Sequence, residues 1–186
     1  MKKAIILIVL IPMLIFGVWF FANPYITLKR FSSALERGDA DEVSKYIDYQ
    51  ALKEDFKKDL KTLLAKEMAK QEYNGEIEAF VLAFGEFLIN AFVEMAVSPE
   101  GLTYIMEKGR MPTEEVAMQN SEGEKPEDMK IADTKEEVET SASYKGINTF
   151  VYHIRDKGSK EGIDLIFKRR GLANWKLVGI DFHFKE

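Results

Sequence analysis

The chain has 186 residues, a formal net charge of −5, and no cysteine. That length suits one ordinary domain plus an appendage and leaves no room for a second full enzyme domain. The missing thiols exclude disulfides, cysteine-ligated iron–sulfur clusters, thiolate zinc sites and thiol redox chemistry.

The first 22 residues, MKKAIILIVLIPMLIFGVWFFA, differ from the rest. Lys2 and Lys3 precede an uncharged run from Ala4 to Ala22, long enough to cross a hydrocarbon core of roughly 30 Å as a helix. A cleaved signal peptide ends in small residues, whereas this run ends in Trp19, Phe20, Phe21 and Ala22, so the pattern predicts an uncleaved anchor. The rival is a signal peptide cut after Ala22. Positive charge at the amino terminus favours a cytoplasmic N-terminus, which places residues 23–186 outside the cytoplasm, on the periplasmic side of an inner membrane. Pro12 is compatible with the span, because transmembrane helices tolerate proline.

The exported part then reads as helices. Pro24 to Arg37 offers Ile26, Leu28, Phe31, Ala34 and Leu35 at helical spacing, and Asp48 to Lys70 offers Leu52, Phe56, Leu60, Leu63, Leu64 and Met68. Between them, Gly38 reads as a left-handed helix stop and Asp39 as an N-cap with Glu42 as its capping-box partner; Asp48 caps the next helix. The same acidic cluster fails the spacing of a calcium loop, since counting from Asp39 gives Val43, Ser44 and Gln50 at ligand or glycine positions. Ile77 to Val97 carries a wide apolar stripe that includes Phe80, Phe84 and Phe87, and this predicts the central helix of the core. Glu86 and Glu94 argue against reading it as a second membrane span. SPEGLTYIMEKG adds a short helix, capped by Ser98 and stopped by Gly109.

Residues 111–140 carry three basic against ten acidic side chains and show no sustained period, so they read as a mobile connector. Beyond it the period becomes two. Phe150, Tyr152 and Ile154, then Ile163, Leu165 and Phe167, then Val178, Ile180, Phe182 and Phe184 alternate with more polar residues, which predicts three antiparallel strands. DKGSKEG and RGLAN supply the hairpin turns, and SASYKG a further edge strand. The expected fold is therefore α+β: an N-terminal transmembrane helix, then several helices packed on a C-terminal antiparallel meander of three to four strands.

NPYITLKRFSSALERGDADEVSKYIDYQALKEDF, VSPEGLTYIMEKG and FKRRGLANWKLVGI together resemble a bacterial family, domain of unknown function 2939. The family pattern has Phe-Pro after the Asp of the YID element and an Arg soon after, where this chain has Tyr49, Gln50 and Lys53. The resemblance implies architecture and an exported location, with no activity or cofactor. ALERGD followed by Asp48, with Trp175 in a distant meander, is also similar to the nuclear-transport-factor-2-like cone.

Candidate chemistry is sparse. His153 and His183 lie on the less apolar face of their strands, and with Arg155, Asp164, Lys168 and Asp181 they could line a polar hollow fit for proton transfer; a solvated sheet face explains the same alternation. No ligand spacing predicts a metal, and no glycine-rich motif predicts a nucleotide cofactor. Lys168, Arg169 and Arg170 make too small a basic run for nucleic acid and read as a solvated strand end facing lipid headgroups. If the sheet wraps the phenylalanine-rich helix incompletely, Phe80, Phe84 and Phe87 would line a pocket for a lipid or another small hydrophobic ligand, with His153, Asp181 and His183 on its polar side. The preferred expectation is a non-catalytic, membrane-anchored module that binds an envelope protein or small hydrophobic ligand. A lipid carrier and a small hydrolase or isomerase on the polar sheet face are the alternatives.

Overall fold

A computed structural model describes residues 2–70, 75–109, 138–158 and 161–183. Five helices precede four strands: α1 (Lys2–Glu36), α2 (Ala40–Ser44), α3 (Tyr49–Met68), α4 (Gly75–Ala96), α5 (Pro99–Lys108), β1 (Val138–Gly146), β2 (Thr149–Asp156), β3 (Gly162–Arg170) and β4 (Asn174–His183). The strands form one antiparallel meander in the order β1-β2-β3-β4. The fold is α+β, as the change of period from helical to two predicts. Most of the acidic connector lies outside the described residues, but its last three positions, 138–140, belong to β1.

The apolar leader and the helix expected from Pro24 onward are one continuous helix, with Pro12 and Pro24 inside it. Gly38 ends this region in the left-handed conformation (φ +67°), which a side chain would strain. Asp39 caps α2 by accepting from the Glu42 amide at 2.9 Å. The reciprocal half of the expected capping box is absent: the Asp39 amide donates to the Ala34 carbonyl, and the Glu42 carboxylate turns to Lys45 and Tyr46. Asp48 caps α3 through the Ala51 amide, and Ser98 and Gly109 bound α5 as their positions imply.

One sheet face is the core. Phe150, Phe167, Trp175 and Leu177 pack on Phe31 and Ala34 of α1, Val43 of α2 and Leu52 of α3. Phe31 meets Phe167 edge-on at 5.6 Å, an orientation that matches the ring quadrupoles. The segment before α3 closes the edge of β4: the Leu177 amide donates to the Tyr46 carbonyl and the Asp48 amide to the Leu177 carbonyl. That single bridge occupies both outward backbone groups of Leu177, which would otherwise be open to another strand.

The expectation that Ile77 to Val97 is the central helix is wrong. α1 takes that seat, burying Phe31 and Ala34 against the sheet, whereas α4 packs chiefly on α3 and leaves Phe80, Phe84 and Phe87 between 52% and 69% exposed. On α3, Lys53 and Lys57 hold Glu94 and Lys61 holds Glu86, pairs whose glutamates stay 55% exposed and which contribute little to the packing. The residues that α4 does bury, Val93 and Ala96, lie at its C-terminal end, away from its three phenylalanines. Gly85 lets the helices approach, since a side chain there would collide with Leu64. By length and composition alone, both Leu10–Glu36 and Ile77–Ala96 could cross a membrane.

Candidate functional site

The proposed pocket residues line none of the described clefts together. Phe80 and Phe84 stack on each other at the exposed face of α4, with ring planes 4° apart, while His153, Asp181 and His183 stand on the sheet. The clefts beside α3 and α1 are lined by other residues, among them Asp55, Lys168 and Gly179 in one and Arg30 and Tyr46 in the other.

The polar sheet face is more organised than a solvated surface. Alternation places His153 of β2 opposite Asp164 of β3, and Asp164 opposite Asp181 of β4. Asp164 is only 3% exposed and collects three cationic or polar partners. His153 Nδ1 lies 2.8 Å from its Oδ1, Arg155 Nη2 lies 2.5 Å from the same oxygen, and His183 Nε2 lies 3.3 Å from Oδ2. Burial pushes the Asp164 carboxyl up, but the hydrogen bonds from His153 and Arg155 prevail and hold it below the usual carboxylate range. On the edge strand, Ser143 Oγ lies 3.1 Å from His153 Nε2, which completes a serine–histidine–aspartate line across three strands. Ser143 carried no signal in the sequence, because its neighbour is fixed only by the register of β1.

Asp181 joins a different group. It lies with Asp55 and Asp59 of α3, one oxygen of each within 4.8 Å of the others. Burial, then repulsion from Asp59 and Asp181, pushes the Asp55 carboxyl up, and its Oδ2 is buried without a hydrogen-bond partner. Gly179 makes this approach of helix to strand feasible, since a Cβ there would overlap the Asp55 carboxylate.

The basic run at the end of β3 is divided by strand alternation. Lys168 and Arg170 are exposed, and Arg170 forks onto Asp48 Oδ2 at 2.7 and 2.9 Å. Arg169 points the other way and is buried, contrary to the expectation of a solvated run. Its guanidinium lies 3.5 Å from the ring centre of Phe20 and 4.5 Å from that of Trp175. It donates to the carbonyls of Leu172 at 2.7 Å, Ile147 at 3.3 Å and Phe20 at 3.4 Å. The last contact follows from Pro24: without an N–H, Pro24 leaves the carbonyl four residues back, that of Phe20, without its helical donor. Arg169 supplies a replacement. Beside it, the Tyr144 hydroxyl donates to the Phe21 carbonyl at 2.8 Å, and Tyr25 packs edge-on to Phe150 at 4.8 Å. The apolar helix and the sheet are thus joined by side chains from residues 20–25.

No curated protein and no solved structure matches the chain, so the likeness to the nuclear-transport-factor-2-like cone gains no support. A family model, described as Protein of unknown function (DUF2939), matches residues 13–105, from within the apolar segment to α5. The match leaves the sheet outside, including the FKRRGLANWKLVGI stretch that also suggested the family. On the strength of those helical landmarks, the chain belongs to this family of unknown function.

Proposed function

We propose that the chain is a non-catalytic, single-pass anchored module of a bacterial cell envelope, with its α+β domain on the periplasmic side of the inner membrane, binding an envelope protein or small hydrophobic ligand. One observation supports this most: the domain is built onto the apolar helix through Arg169, Tyr144 and the carbonyls of Phe20 and Phe21. Cleavage after Ala22 would remove both carbonyls and the Phe20 ring from contacts that are already satisfied. An uncleaved anchor keeps them. The exposed apolar face of α4 supports a binding role, because apolar surface of this kind marks interaction sites. Intact-mass measurement of the protein from washed membranes tests the anchor: the reading requires the full-length mass, and a mature chain beginning at Asn23 refutes it.

The line from Ser143 through His153 to Asp164 favours a second reading, a small hydrolase. In such a relay the histidine takes the serine proton and the buried carboxylate orients it. Arg155 shares the same Asp164 oxygen, which competes with His153 for it. Treatment with a fluorophosphonate probe decides between them: a covalent adduct lost in Ser143→Ala establishes the hydrolase, and an unlabelled wild type removes it.

A further inference from the structure

The side-chain contacts between α1 and the sheet also orient the sheet relative to the apolar helix. Phe167 of β3 meets Phe31, while Arg169, two residues further along β3, meets Phe20. β3 therefore runs toward the apolar half of α1. Antiparallel order puts the β1–β2 and β3–β4 turns at this end and the β2–β3 turn at the other. The two near turns carry Ile147 and Leu172 at their tips, 67% and 69% exposed, and their carbonyls share the Arg169 guanidinium that also meets Phe20. Trp19 and Tyr25 flank that level of α1, the residue types that favour the boundary between lipid and water.

Charge also distinguishes this end of the sheet. Residues 141–149 and 168–176 contain Lys145, Lys168, Arg169, Arg170 and Lys176 and no acidic residue; Arg169 is buried and Arg170 is held by Asp48, which leaves Lys145 and Lys168 as the exposed, unneutralised cations of these turns among the contacts described. The far end of the sheet is mixed, with Glu139, Asp156, Glu161 and Asp181 beside Arg155 and Lys157. Isolated apolar tips flanked by the exposed Lys145 and Lys168 fit the interface of an anionic bilayer, where the side chain of each tip reaches the acyl boundary and the ammonium groups meet phosphate. A protein partner would have to displace lipid at the same height to reach them.

We propose that Ile147 and Leu172 are a membrane-contact site, inserted into the lipid interface with Lys145 and Lys168 beside anionic headgroups. The proposal rests on the anchored reading above. Because the chain has no native cysteine, single replacements can be labelled cleanly. Full-length Ile147→Cys, Leu172→Cys, Met13→Cys and Lys157→Cys, each carrying an environment-sensitive dye, are reconstituted in lipid nanodiscs containing phosphatidylglycerol. Lipids carrying a quencher at the shallow or the deep acyl position then report depth. The expected result is blue-shifted emission at positions 147 and 172 with shallow quenching, deep quenching at 13, and water-like emission at 157. Shallow quenching roughly twofold stronger in phosphatidylglycerol than in phosphatidylcholine is expected from Lys145 and Lys168. Water-like emission at 147 and 172, with 13 still quenched, overturns the contact site and leaves the anchor standing. Loss of quenching at 13 overturns the anchor, and the contact site with it.

Discussion

Arg169→Ala tests whether the apolar helix and the sheet are one structure. Arg169 is 8% exposed, and its guanidinium gives one short hydrogen bond, to Leu172, and two longer ones, to Ile147 and Phe20. A hydrogen bond from a charged donor contributes about 1.5–3 kcal/mol and a desolvated cation–π contact about 1–2 kcal/mol. Against these stand the desolvation of the cation and its Nε, which has no partner. We expect a net loss of roughly 3 kcal/mol, which for a chain of this size lowers Tm by about 6–12 °C. Arg169→Lys should fall between, since an ammonium keeps the charge but cannot serve three carbonyls from one plane. Thermal unfolding of the full-length protein in a fixed detergent, followed by near-ultraviolet circular dichroism, gives the comparison. A double-mutant cycle with Phe20→Leu should show coupling of about 1 kcal/mol. If Arg169→Ala unfolds within 1 °C of wild type, the guanidinium does not join helix to sheet.

Three further outcomes follow from the same geometry. Partial burial opposes ionisation of Asp48, but Arg170 and the Ala51 amide outweigh it and hold the carboxyl below its ordinary range. Its folded value is therefore below the unfolded one, so its contribution is complete above about pH 5 and is lost as pH falls through the folded value. Asp48→Asn keeps an N-cap and should cost about 0.5–1 kcal/mol at pH 7, in denaturant titrations, with the difference vanishing near pH 2. Asp55 has the opposite sign: its folded value is raised, so the group weakens the fold as pH climbs from about 4 through that value. Asp55→Asn should stabilise by up to about 1 kcal/mol at pH 7 and by nothing near pH 3, and equal gains at both would refute the repulsion argument. Phe87→Ser should leave Tm within about 2 °C, because the ring is 65% exposed; a core phenylalanine would cost about 3–5 kcal/mol.

Local structure was legible where local chemistry decides it. Asp39, Asp48, Ser98 and Gly109 bound helices in the positions that their side chains or missing side chains dictate. The strands, likewise, follow from alternation. What sequence could not settle was competition between distant elements for one surface. Two helices, that of Phe31 and that of Phe84, offered apolar stripes to a single sheet face; the first is seated there, and the second packs chiefly on α3. Ser143 went unnoticed, and Arg169 read as part of a solvated run, for a related reason. Their partners, His153 and Phe20, stand 10 and 149 residues away, and only strand register and the path of α1 bring them together.

The continuity of α1 has a consequence for reach. Its 35 residues extend about 52 Å at 1.5 Å each, and in the anchored reading proposed above a bilayer core takes about 30 Å of that. Once Phe20 stands at the lipid boundary, the helix rises only some 20 Å above it before Gly38 turns the chain back. A flexible tether of equal residue count would let a domain sample a hemisphere and meet targets at varied heights and tilts. In the anchored reading the working height is built in, and a partner would have to come to the membrane surface to be met.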